Sequence, residues 1–387
     1  MAHSHPSARP AEAASTAVRR GLALVIVPLI AALGVGLVLL WPGERLPVQL
    51  EGPLAPERAR GSVVGTAQCP PELELCSAVQ VALIAGPGAP ATVVAILPYG
   101  DQAPVIETGD RLVLSYFGAA PEGQAYQFID FDRRLPLYVL GGLFVVVVVA
   151  FARWRGVTSL LALAFSLFVF VAFVLRGLLA GEPPLGLALV GAGVIMVVTL
   201  YLGHGVNAPT SVALLGTLVS LGVTAALGVA VTAVSHFVGL SDDYFIYLDS
   251  IVPGIDFTGL LLAGLIIGAL GVLDDVTVTQ AAVVWELDRA DPTATTRELF
   301  TAGMRVGRSH VQATINTLVL AYAGAGLPLF VFLAVSDIPL LDALTTETVA
   351  QEVVGAAVGS IGIVCAVPVT TAIAAFVVRS TAPSGSS

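Results

Sequence analysis

Eight stretches of this chain carry no charged side chain over the length, or nearly the length, that an α-helix needs to cross a bilayer, about 20 residues. They are Gly21–Trp41, Leu135–Ala152, Val157–Leu175, Leu185–Leu202, Ser211–Val234, Phe257–Leu273, Val311–Val335 and Val353–Val378. A water-soluble fold needs a polar shell to cover such a core. Of the 387 residues 56% are hydrophobic and only 11% charged, against about a quarter charged in soluble domains. The expectation is an all-α polytopic membrane protein of eight transmembrane helices. All 17 basic residues are arginine, so chemistry that needs a lysine amine is excluded. A net charge of −10 lacks the positive footprint of nucleic-acid binding.

Arginine placement orients the spans, because positive charge collects in short cytoplasmic loops. With the N-terminus inside, ten arginines fall on the cytoplasmic side: Arg9, Arg19, Arg20, Arg153, Arg155, Arg289, Arg297, Arg305, Arg308 and Arg379. The short outside loops then hold only Arg176, with acids such as Asp242, Asp243, Asp249, Asp256, Asp337, Asp342, Glu347 and Glu352. Residues 1–20 are read as a cytoplasmic tail and 21–41 as an uncleaved anchor. Residues 135–378 form a seven-helix membrane domain with a cytoplasmic helical hairpin at 274–310, and 379–387 a second cytoplasmic tail.

The segment 42–134 differs in kind, with eleven acids, six arginines and many prolines and glycines. Short β-branched runs at Val79–Ala85, Thr92–Leu97 and Arg111–Tyr116, with a hairpin-type turn at Glu107–Asp110, predict a small extracytoplasmic β domain, an OB-like barrel by size. Cys69 and Cys76 lie in this domain, in a compartment where a disulfide persists; whether they pair is open at this point. Cys365 reads as a small apolar filler.

Polar residues inside apolar stretches are the candidate site. Asp274 and Asp275 follow the sixth span without a clear helix stop, so the helix either ends at Asp274 or continues to Trp285 with two carboxylates in the membrane. A central aspartate costs roughly 2.5–3.5 kcal/mol on insertion scales and is functional by default. Asp275, Thr279 and Glu286 share a helical face, which lines a cavity or is the wet side of a helix leaving the bilayer. The next span opens with His310, Gln312, Thr314, Asn316 and Thr317. Its amides either glue helices together or meet Asp275 and Thr279 in a proton- or ion-handling site. His204 and Asn207 end another span on the same side. Asp291-Pro292 is a good N-cap and first-turn pair, and Thr295…Glu298 has capping-box spacing. The helix that follows puts Leu299, Phe300, Gly303, Met304 and Gly307 on one face and Arg297, Arg305 and Arg308 on the other, the pattern of a helix lying on the cytoplasmic leaflet or of one arm of a solvated hairpin. A metal site of His236 with the acidic loop Ser241-Asp242-Asp243 is weakly signalled, and no metal or cofactor is expected.

Three groups of residues carry a resemblance: Gly268-Ala269-Leu270-Gly271…Asp275; Glu298-Leu299…Gly303…Gly307-Arg308…Asn316 through Gly324; and Gly359-Ser360-Ile361-Gly362…Val367-Pro368-Val369-Thr370. Together they resemble the YibE/F-like membrane proteins of bacteria, over most of the chain, anchor and outside domain included. The resemblance implies a multi-pass cell-membrane protein of the predicted-permease kind, without a substrate. It implies that the aspartate at Asp275 is the family's usual one and Asp274 an extra. An arginine is common where this chain has Gly355, which removes one partner for outside acids such as Glu352. More weakly, the Gly271-x-x-x-Asp275 hairpin is similar to one in resistance-nodulation-division exporters, where an intramembrane aspartate carries protons.

The leading expectation is therefore a permease or transporter, not an enzyme, with Asp275, Asp274, Thr279, Gln312, Asn316 and His310 coupling a proton or cation. The alternative is a non-transporting scaffold or export accessory whose outside domain binds a partner. Expected partners are the lipid bilayer, an unidentified solute or protein, and, as a possible homo-oligomer, further copies of the chain.

Overall fold

The computed structural model describes residues 16–43, 57–71, 73, 76–100, 103–121, 123–239, 248, 254–336 and 338–381. The acidic loop Ser241-Asp242-Asp243 and most of the two tails lie outside these residues. The chain divides into two compact units, one of Gln49–Gly156 and one of the remainder.

The first unit holds a closed barrel of five strands, β1 (Glu57–Ala67), β2 (Ser77–Ala85), β3 (Thr92–Leu97), β4 (Arg111–Tyr116) and β5 (Tyr126–Phe131), in the order β1-β2-β3-β5-β4. This is the small barrel expected from sequence. Alternate residues point inward: Ala59 and Val63, Val79 with Val81 and Leu83, Ala95 and Leu97, and Leu112 with Leu114 form the core. β1 is long enough to pair with both β2 and β4, and irregularities at Arg60/Gly61 and Val63/Gly65 bend it between them. Gly61 leaves room for that bend, since a Cβ there would strike the backbone of Ala82. β3 and β5 run parallel and complete the closure. The turn expected before β4 forms, with Gly109 at φ +102° and the Glu107 N–H donating to Asp110 Oδ2 at 2.8 Å, but it closes no hairpin, since β4 pairs with β1 and β5 and not with β3. Cys69 and Cys76, between β1 and β2, are disulfide-bonded. β1 and β5 were not expected. The Arg, Gly, Ala and Ser of β1 are weak strand formers that barrel closure recruits. The helix α2 (Arg134–Ala152) completes this unit.

The second unit is helical: α1 (Thr16–Leu39), α3 (Trp154–Leu179, with a π-helical stretch at Phe170–Leu175), α4 (Pro184–His204), α5 (Ala208–Val234), α6 (Phe257–Ala290), α7 (Thr296–Ala325), α8 (Leu327–Val335), α9 (Leu340–Thr345) and α10 (Glu347–Thr381). Among the described residues seven helices, α1 to α6 and α10, are long and apolar enough to cross a membrane; α7 and α8, bent by 61°, make an eighth if they count as one span. Of the two alternatives at Asp274 the helix takes the continuing one: α6 runs unbroken for 34 residues, through Asp274 and past Trp285.

α7 corrects two expectations. It starts at Thr296, not at Asp291-Pro292, because Thr295 and Glu298 form the reciprocal capping box, while Asp291 instead accepts from the N–H of Thr293 at 3.0 Å. It also continues through His310 as one helix, so the expected leaflet helix and the seventh span are one element. Its apolar face packs on protein: Leu299, Gly303 and Gly307 are buried, with Gly303 against Thr371 and Gly307 against Val367 and Gln280. Small residues bring α5 and α10 equally close, Gly216 against Thr370 and Gly362 against Thr224. Without a hydrophobic drive between helices in lipid, such backbone approach supplies the packing energy.

Candidate functional site

The centre of this bundle is polar. On α5, Thr217, Ser220 and Thr224 are fully buried and donate to the carbonyls of Ala213, Gly216 and Ser220. Their i, i+3, i+7 spacing places them on one face. Thr217 Oγ1 lies 2.5 Å from Thr277 Oγ1 of α6. One turn further along α6, buried Gln280 donates through Nε2 to Gly303 O of α7 at 2.9 Å and to Thr371 Oγ1 of α10 at 2.7 Å. This amide ties three helices together, and a hydroxyl pair ties α6 to the fourth, α5.

Among the described residues, three further polar atoms within a turn of this layer are buried without a hydrogen-bond partner: Asp274 Oδ1, His310 Nδ1 and Thr370 Oγ1. Each belongs to a residue within a turn of the network. Asp274 precedes Thr277 by three residues, Thr370 precedes Thr371, and His310 follows Gly307, which packs against Gln280. Buried polar groups are ordinarily paired, so this layer has unused capacity to hold a proton or a polar ligand.

The residues expected to meet in one site do not do so. Asp275 and Thr279 are exposed on α6, and Gln312 and Asn316 are exposed on α7. Among the described residues no hydrogen bond joins any of the four to another. Asp275 belongs to an exposed stripe of Gly264, Gly268, Gly271, Asp275, Thr279, Ala282 and Glu286, which contains no large apolar side chain. The two adjacent carboxylates thus differ in exposure: Asp275 is exposed on this stripe, and Asp274 is half-buried with its Oδ1 out of solvent. The stripe accounts for the shared face of Asp275, Thr279 and Glu286.

Other expected residues serve the scaffold. Asn207 caps α5, accepting from the Thr210 N–H at 2.8 Å and donating to His204 O at 2.7 Å. Where Gly355 stands, the ring of Tyr322 fills the space beside the backbone. Glu347, at the start of α10, accepts from the N–H groups of Val238 and Gly239 at 2.8 and 2.6 Å. At the other end of α10, Arg379 pairs with Asp288 and donates to Pro292 O. Thr293 hydrogen bonds hold the Asp291 carboxyl below the usual carboxylate range. Among the described residues no three His, Cys, Asp or Glu side chains are arranged to hold a metal ion.

Sequence reasoning named both Asp274 and Asp275 and led with Asp275, the exposed one of the two, and it did not name the α5 and α10 hydroxyls as site residues. Their signal was the hydroxyl and glycine spacing inside spans that otherwise read as uniformly apolar.

A bundle of long apolar helices closed around a polar layer, with a small barrel in a separate unit, defines a multi-pass membrane protein. The family model described as YibE/F-like protein matches residues 140–380. The chain belongs to the YibE/F-like family, on a match that takes in more than half of its length and leaves α1 and the barrel outside it. Neither a curated protein nor a solved structure matches the chain.

Proposed function

We propose that this protein is a transporter of the bacterial cell membrane, with both termini cytoplasmic, in which the Asp274–Asp275 pair couples movement of a solute to a proton or cation. The observation that supports this reading most is the Oδ1 of Asp274, buried without a hydrogen-bond partner among the described residues, on a helix made for lipid and one turn before Thr277, whose hydroxyl donates to the Asp274 carbonyl. A buried carboxylate oxygen without a donor is costly as the anion and acceptable as the neutral acid. Asp275, on an accessible stripe next to it, offers the route by which a proton arrives. In this reading Thr277, Thr370, Gln280 and His310, buried or half-buried polar residues of the same bundle, supply the polar atoms that take up a cation or solvate the proton. The test is pH-difference infrared spectroscopy of the full-length protein in lipid. A protonated-carboxyl band is expected that Asp274→Asn removes and Asp275→Asn slows in forming. An unchanged spectrum in Asp274→Asn would overturn the coupling role.

The scaffold reading keeps one specific support. Gln312, Asn316 and Thr317 expose hydrogen-bonding groups on the outside of α7, and such groups in lipid ordinarily meet another helix. In that reading a partner or a second copy covers them, and cross-linking from position 312 or 316 captures it while Asp274→Asn is silent.

A further inference from the structure

The barrel unit contains a second, unrelated site. A groove of about 320 Å³ is lined by Arg60, Arg111, Asp132, Arg134, Ile84 and Tyr138, among others. Arg60 and Arg111 project from the outer face of neighbouring antiparallel strands. Arg60 stands opposite Val113 and Ser62 opposite Arg111, so the two arginines are diagonal neighbours, about 7–8 Å apart at the backbone. Among the described residues neither makes an ion pair. Asp132, the groove's one acid, accepts the backbone N–H of Arg134 at 3.1 Å and lies 3.7 Å from its Nε. Three guanidiniums against one carboxylate leave two positive charges facing one space. Like charges held this close are unfavourable without an anion between them.

The location says which anion. Arg134 is the first residue of α2, and no charge follows it through Ala152. At 1.5 Å per residue the 19 residues of α2 span about 28 Å, close to the thickness of a bilayer core. The groove therefore sits at headgroup height. Its rim is amphipathic in the same sense: Ile84 is 67% exposed, Leu135 53% and Tyr138, one turn below Arg134, 74%. Tyrosine at this depth belongs to the aromatic belt, and the forked guanidinium is the side chain that pairs with phosphate in two places at once.

We propose that Arg60, Arg111 and Arg134 form a phosphate-binding site, and that the phosphate is the headgroup of an anionic phospholipid whose acyl chains run along α2. The site is independent of the transport reading and rests on none of its residues. The experiment is native mass spectrometry of the full-length protein in detergent. It is titrated with phosphatidylglycerol, with phosphatidylcholine and with inorganic phosphate alone. Phosphatidylglycerol is expected to bind more tightly than phosphatidylcholine. Arg60→Gln and Arg111→Gln should each weaken it about three- to tenfold, the loss of one charge-assisted contact at a partly exposed position. Arg111→Lys should lose less, and Arg133→Gln, which removes the same charge from a residue already paired with Asp130, should change it less than about twofold. Equal binding of the two lipids, unaffected by the double Arg60→Gln/Arg111→Gln variant, would overturn the site. Saturation by inorganic phosphate with no preference between the lipids would overturn the lipid assignment and leave a soluble phosphate as the ligand. Unchanged thermal unfolding of each variant shows that the barrel persists.

Discussion

Gln280 gives the sharpest test of how this bundle is held. Its side chain is 1% exposed, and Nε2 donates to Gly303 O and to Thr371 Oγ1. Gln280→Met keeps the volume and removes both bonds without stranding either acceptor. Thr371 still donates to Val367 O, and Gly303 O still lies within α7. Hydrogen bonds between membrane helices contribute about 0.6 kcal/mol each on average and at most about 1.7, so the loss is about 1.2 kcal/mol and no more than about 3.4. Gln280→Ala opens a void as well. At about 24 cal/mol per Å³, a void of about 50 Å³ adds about 1.2 kcal/mol, for a total near 2.5. The assay is reversible unfolding in mixed micelles on titration with dodecyl sulfate, followed by circular dichroism. A double-mutant cycle of Gln280→Met with Thr371→Val should give a coupling of about 0.6 kcal/mol, the value of a single interhelical bond. Gln312→Leu, at an exposed amide that makes no such bond, should cost under about 0.5 kcal/mol. Zero coupling in the cycle, or a larger cost at Gln312 than at Gln280, would refute the clamp.

Two further outcomes follow from the packing and the turn. Gly216→Ala drives a methyl group into Thr370 and should destabilise the bundle by about 1–3 kcal/mol in the same assay; a neutral result would mean that α5 and α10 do not approach as described. Asp291 is held below its ordinary value by Thr293, so its contribution is complete above the ordinary aspartate value of about 3.9 and fades as pH falls through the lower folded value. Hydrogen exchange of the 291–295 turn, corrected for its intrinsic pH dependence, should therefore quicken on acidification in the parent and not in Thr293→Val. Protection that rises on acidification would contradict the sign.

Most of the architecture was legible because it rests on length and charge. An uncharged run long enough to cross a bilayer has few alternatives, so the spans emerge from counting. The β unit was legible from its Val- and Leu-rich strands, but β1 was not, since its pairing comes from closure and not from propensity. The site was half legible. Asp274 and Asp275 stand out in any apolar helix, but which one turns inward depends on the packed face. That face follows Leu270, Leu273, Thr277, Ala281 and Val284, and its register favours Asp274. The amides Gln312 and Asn316 drew attention by polarity alone, whereas Gln280, alone in a run of Val, Thr and Ala, proved to be the one the fold uses. Glycines explain the difference at α7: Gly303 and Gly307 turn a helix that reads as a leaflet anchor into one that seats against α6 and α10.

The parallel pairing of β3 with β5 has a consequence for anything that recognises the barrel unit. The ring closes there over two residue pairs, Ala95 with Tyr126 and Ile96 with Gln127, so the main-chain groups left unpaired form only short runs and an extended peptide finds no full-length edge on which to add itself as a further strand. Recognition there must go through side chains and connecting loops, and its specificity is open to point substitution in a way that main-chain pairing is not.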